Sequence, residues 1–90
     1  MNTNQMEASF ITLAMSIASA AAMSLGLAPN PQTKKTEVDV DMARFNIDLL
    51  DVLSRKTKGN LAKEEDEFMT RVLADLKLKF VEVNKHGKSV

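Results

Sequence analysis

The stretch FITLAMSIASAAAMSLGLAP, residues 10–29, contains no charged residue and intersperses large apolar side chains with Ala and Ser. A helix that is apolar all round is expected to be buried on every side. Its small residues recur four apart, so they form rows along which another helix can approach closely. Two further helices in a chain of 90 residues cannot enclose it, which predicts an oligomerisation helix packed against a second copy. The rows are Ala14, Ala18 and Ala22, and Ser16, Ala20 and Ser24.

Two other interpretations of this stretch are less favoured. A secretory signal needs a basic N-terminal region, whereas MNTNQMEAS has no Lys or Arg and carries Glu7. A membrane span fits the eighteen residues from Phe10 to Leu27 in length, but Thr, Ser and Gly dilute the residues that favour insertion. Membrane association of this helix therefore stays as the alternative hypothesis.

The chain is predicted to form one helical domain, residues 1–90, and start and stop signals delimit the helices within it. Gly26 followed by Pro29 and Pro31 ends the first helix, and Gly59 in KTKGN ends the second by supplying a left-handed residue. The predicted segments are helix one at about 7–25, a connector at 26–38, helix two at about 39–58, helix three at about 62–83 and a mobile tail at 84–90.

The second predicted helix has an unusually wide apolar face. At 100° per residue, its apolar side chains cover an arc of roughly 220°, so this helix must contact at least two neighbours. Asn46 lies inside that arc, where a buried amide can fix the register or the oligomeric state of a bundle. Arg44 is spaced to pair with Asp48 one turn later.

Composition excludes several classes of function. Twelve basic and twelve acidic residues cancel, and the chain lacks Trp and Tyr, so no nucleic-acid partner is expected. Cysteine is absent, which excludes disulfides and thiolate chemistry.

Candidate chemical groups have simpler structural explanations. Asp39 and Asp41 are placed as helix caps, and the acidic run 64–67 suits the first turn of a helix. His86 has no second His, Cys or Ser–Asp pair to complete a set, and KTKGN lacks the glycine-rich loop of a nucleotide site. We therefore expect no catalytic, cofactor-binding or metal-binding residues, no cofactor and no enzymatic activity.

The chain resembles the small bacterial proteins grouped as domain of unknown function 1844. The resemblance is carried by FITLAMSIASAAAMSLG, PNPQT, VDVDMARFNIDLLDVLSRKTKGNL and EEDEFMTRVLADLKLKFVEV, which span roughly residues 10–83. Two departures are visible: the family often has Gly where this chain has Lys34, and a hydroxyl residue where it has Ala62. The family brings no assigned activity, so the resemblance implies no biochemical task.

These observations predict an all-α chain, a helical hairpin plus an Ala/Ser-rich N-terminal helix, that forms an oligomeric helical bundle. The predicted function is a non-enzymatic module of the bacterial cytoplasm, an adaptor or scaffold that forms a homodimer or larger assembly and binds a further, unidentified protein. The alternative is a small membrane-associated protein whose first helix inserts in lipid or packs on a membrane partner. The predicted oligomer interface consists of Ile11, Ala14, Met15, Ala18, Ala22 and Asn46.

Overall fold

A computed structural model of the chain describes residues 8–88, and the side chains of residues 8–85. Three helices follow one another: α1 (Phe10–Ser24), α2 (Val40–Lys56) and α3 (Lys63–Lys88). The all-helical class predicted from the sequence is confirmed, since within the described residues the extended backbone pairs only in one isolated bridge, between Leu25 and Val38.

Alanines bring α1 and α2 together. Ala14, Ala18 and Ala21 lie on one side of α1 and are 8% exposed or less, and Ala43 of α2 is fully buried. With only methyl groups between them, the two backbones approach closely, and Leu25 and Leu50 are buried in the same cluster. The small-residue row of α1 is therefore used inside the chain, against α2 above all.

The third helix completes the core and contacts both α2 and α1. Met69, Leu73 and Leu76 recur three and four apart along α3 and are buried in the same cluster as Ile47 and Leu50. Contacts of α2 with both α1 and α3 confirm that its wide apolar arc needs two neighbours.

The end of α1 is closed by a Schellman motif. Leu27 N–H donates to the Ala22 carbonyl (2.9 Å) and Gly26 N–H donates to the Met23 carbonyl (3.0 Å), with Gly26 at a φ of 78°. A side chain at Gly26 would place its Cβ 2.8 Å from Cγ2 of Val38, so the site requires glycine for both conformation and space.

The connector then folds back on itself and ties α1 to α2. Asp39 N–H donates to the Ser24 carbonyl (2.8 Å), next to the Leu25–Val38 bridge. At its tip, the Asn30 side chain accepts from Gln32 N–H (2.7 Å), and Lys34 N–H donates to the Asn30 carbonyl (2.7 Å). This turn places Lys34 at a φ of 63°, a left-handed conformation that a residue with a Cβ adopts at a cost.

The helix ends differ from the predicted ones in two places. Helix α2 ends at Lys56, because the Thr57 hydroxyl donates back to the Leu53 carbonyl (2.7 Å) and Thr57 becomes the C-cap. Gly59 has the predicted left-handed φ, 87°, but it lies in the turn that follows α2 and not at the helix end. In this turn Asn60 N–H donates to the Thr57 carbonyl (2.9 Å).

Helix α3 is longer than predicted. It continues past Val83 to Lys88, so residues 84–88 are helical rather than part of a tail, and the prediction for residues 89–90 lies outside the described residues. The segment NKHGK contains no proline, and its one glycine costs a helix only about 1 kcal/mol. Val83 also packs against the core, which holds the helix together just before that segment.

Hydroxyl groups on α1 are satisfied by the helix itself. The Ser16 hydroxyl donates to the Thr12 carbonyl (3.1 Å) and the Ser24 hydroxyl donates to the Ala20 carbonyl (2.9 Å). At the start of α1, the Ser9 side chain accepts from Thr12 N–H (3.1 Å) and serves as the N-cap.

We expect Ala18→Leu to destabilise the folded chain by about 1–3 kcal/mol, because the larger side chain overpacks the α1–α2 contact. Urea denaturation followed by circular dichroism measures the loss, and Ser19→Leu, on the exposed side of the same helix, is the control. Equal stability of the two variants would mean that α1 and α2 do not meet along the alanine row.

Lys34→Gly should stabilise the chain by about 0.5–1 kcal/mol, because glycine adopts a positive φ without the steric cost of a Cβ. Thermal unfolding measures the change. The matched control is Lys35→Gly, one residue further in the same exposed loop but without a positive φ, which should instead lower the melting temperature. A loss of stability in Lys34→Gly would contradict the turn geometry.

Helix α3 has half of a capping box. Ala62 N–H donates to Glu65 Oε1 (2.8 Å), and the Ala62 carbonyl accepts from Asp66 N–H (2.9 Å), so Ala62 occupies the N-cap position without an acceptor side chain.

Ala62→Ser should therefore add the missing hydrogen bond, to Glu65 N–H, and stabilise the chain by about 0.5–1 kcal/mol in denaturant titrations. Lys63→Ser places the same hydroxyl one residue inside the helix, where it cannot cap, and should give no gain. If both variants behave alike, α3 does not begin at this residue.

Candidate interaction surface

Part of the apolar arc of α2 is left uncovered by the other two helices. Met42, Phe45, Leu49 and Val52 are 47%, 54%, 38% and 40% exposed. Their spacing of three, four and three residues places them along one side of α2, and we call these four residues the α2 band. Exposed large apolar side chains that line up in this way mark an interaction site more often than scattered ones do.

The α2 band is turned well away from the core-facing side of the helix. At 100° per residue its centre is about 145° from that of the buried Ala43, Ile47 and Leu50. One edge of the band adjoins Asp41 and Asp48, both exposed, and the other adjoins the buried Asn46.

Asn46 is 7% exposed and is the buried polar residue among the described side chains. Its Nδ2 donates to the Met42 carbonyl one turn earlier (3.0 Å), so half of its amide is satisfied within α2. The residue lines a groove of about 270 Å³ between α1, the connector and α2. Asn46 therefore lies where the core meets the α2 band, and its predicted role at an interface stays a prediction. The other groove residues include Ala20, Met23, Ser24, Asn30, Lys35, Glu37, Asp39 and Met42.

The remaining predicted interface residues do not share one surface. Ala14 and Ala18 are buried by helices of the same chain, so in this fold no second copy reaches them. Ile11 and Met15 are 37% and 48% exposed on α1, and Ala22 is half-buried. Of the α1 residues in the predicted interface, the exposed Ile11 and Met15 are the ones best placed to meet a partner.

Sequence reasoning assigned the α2 band to the arc of α2 but not to an interface. The signal was present in the arc itself: roughly 220° is wider than the face of α2 that α1 and α3 together bury. The exposed Phe45, Leu49 and Val52 are the part of the arc that remains.

Arg44 does not pair with Asp48, contrary to the sequence prediction. Its guanidinium lies over the Phe80 ring, 5.5 Å from the ring centre, and this cation–π contact joins α2 to α3. Asp51 instead forms the ion pairs of this region, with Lys77 of α3 (3.5 Å) and with Arg55 one turn along α2 (3.5 Å).

Of the two predicted acidic caps of α2, Asp39 is the N-cap, whereas Asp41 lies inside the first turn. Asp39 Oδ1 accepts from Met42 N–H (3.1 Å), and Glu64, Glu65 and Asp66 occupy the first turn of α3. Among the described side chains no three His, Cys, Asp or Glu residues lie close enough together to hold a metal ion. The side chain of His86 lies outside the described set.

No helix in the described part of the chain is both long enough and apolar enough to cross a bilayer.

A flat three-helix domain with an uncovered apolar band is the class of protein that these features define. The model of the family described as "Domain of unknown function (DUF1844)" matches residues 7–82, which is most of the chain, and the protein belongs to that family. No curated protein and no solved structure matches the chain.

Proposed function

We propose that this protein is a non-enzymatic helical module that associates with copies of itself and, once assembled, binds another protein as an adaptor or scaffold in the bacterial cytoplasm. The observation that carries the proposal is the α2 band. Four large apolar side chains, each between 38% and 54% exposed, stay in contact with water along a single helix. Covering them removes apolar surface from water, which favours association.

The residues near the α2 band favour a protein contact over a lipid contact. Asp41 and Asp48 adjoin one edge of the band and are exposed. A helix that lies in a membrane surface is typically rich in Lys and Arg on its polar face, which contact anionic headgroups. Here carboxylates border one edge of the band, where they would face like charges on the lipid, and the basic Arg55 and Lys56 lie at its C-terminal end.

Wild-type protein is expected to sediment as a dimer or larger species at micromolar concentration, and Phe45→Ser to weaken association at least about tenfold, as expected for an aromatic anchor. Sedimentation equilibrium over a hundredfold range of concentration measures both. Leu78→Ser is the matched control, since Leu78 is 59% exposed on α3, outside the band.

Two results would overturn the proposal. One is a wild-type chain that sediments as a monomer throughout the concentration range. The other is a chain that floats with vesicles of phosphatidylglycerol and phosphatidylethanolamine in a density gradient, which would support the membrane alternative.

A further inference from the structure

The spacing of the α2 band is that of a short coiled-coil seam. Met42 and Leu49 lie seven residues apart, as do Phe45 and Val52, so the four residues occupy the a and d positions of two heptads. The four residues of the seam are between 38% and 54% exposed, so α1 and α3 leave much of it open along its length. A seam of this kind is complementary to another helix with the same spacing of apolar residues. Helix α2 of a second copy has that spacing.

Charge is distributed unevenly along the seam. Asp41 lies beside its N-terminal end, whereas Arg55 and Lys56 lie at its C-terminal end. Asp41 and Lys56 take part in none of the ion pairs formed among the described residues. Two α2 helices in parallel would place these like charges side by side, whereas an antiparallel pair places the acidic end of each against the basic end of the other.

The size of the side chains agrees with an antiparallel pair. Antiparallel packing about a two-fold axis midway between Phe45 and Leu49 sets Phe45 of one copy against Leu49 of the other, and Met42 against Val52. Each contact then joins a longer side chain to a shorter one, which lets the two layers interdigitate. The macrodipoles of the helices also oppose each other in this arrangement, so their ends carry complementary partial charges.

The exposed apolar area of the α2 band is large enough to form the centre of such an interface. Four side chains between 38% and 54% exposed form an apolar patch of about a few hundred Å², the size found at interaction sites on monomers.

We infer that two copies of this chain pair through α2 in antiparallel orientation, with the α2 band of each copy covering that of the other. This inference rests on the proposed function and adds to it the face and the direction of pairing. A two-fold interface of this kind is closed, so it limits the assembly at this surface to two copies.

The absence of cysteine from the chain makes disulfide trapping a direct test. Met42→Cys and Val52→Cys variants are purified separately, mixed in equal amounts under native conditions and oxidised, and the disulfide-linked products are identified by intact mass. A disulfide needs Cα atoms within about 7 Å, so only residues that face each other are joined.

The expected result is that the mixed product, Met42→Cys joined to Val52→Cys, exceeds either self-linked product at least about fivefold, because only opposed residues meet the distance limit. Predominant self-linking of Met42→Cys would show a parallel pair and overturn the inference. Arg71→Cys, at an exposed position of α3, is the control for collisional cross-linking and should give little product.

A second pair of variants separates failure of this inference from failure of the proposed function. Ile11→Cys and Met15→Cys, on the exposed part of the sequence-predicted interface, are oxidised in the same way. A chain that sediments as a dimer yet cross-links through α1 would overturn pairing through α2 while leaving self-association intact. A chain that sediments as a monomer would overturn both.

Discussion

The close approach of α1 and α2 is the constraint on which the rest of the structure depends. Ala14, Ala18 and Ala21 present only methyl groups to α2, and Ala43 meets them with another. This contact has two consequences. The connector must return the chain from the end of α1 to a start of α2 that lies beside it. Because α1 and α3 both pack on the buried side of α2, the α2 band on its other side is left in contact with water.

The connector is built to meet that constraint. The Schellman motif around Gly26 reverses the chain immediately after α1, and the hydrogen bond from Asp39 N–H to the Ser24 carbonyl joins the end of one helix to the start of the next. Asn30 then organises the turn at the tip through its side chain and its carbonyl.

The left-handed residue in that turn is Lys34, at the position where the sequence resemblance implies glycine. The second departure, Ala62, coincides with a helix cap that lacks its acceptor. Both departures thus fall where the local geometry has a specific residue preference.

Much of the fold follows from local sequence signals. The three helices, the left-handed Gly26 and Gly59, and the cap at Asp39 are set by interactions within a few residues of each position, so pattern and propensity suffice to predict them. The partner of the alanine row was not predictable in the same way, because a row of small residues is equally suited to a helix of the same chain and to a second copy. Arg44 shows the same limit: its spacing to Asp48 favours an ion pair, but Phe80, distant in sequence, offers a ring face instead.

The hydroxyl groups of α1 lower the desolvation free energy of this helix, because they are already hydrogen-bonded within it. Ser16 and Ser24 direct their protons to carbonyls of their own helix, so on burial they have less hydration to lose than free hydroxyls do. A hydropathy scale that assigns each serine the full desolvation penalty therefore overestimates the polarity of this surface. In desolvation terms α1 is closer to a helix of Ala, Leu, Ile and Met than its composition indicates, and a protein surface that covers it need not supply a hydrogen-bond acceptor for either serine.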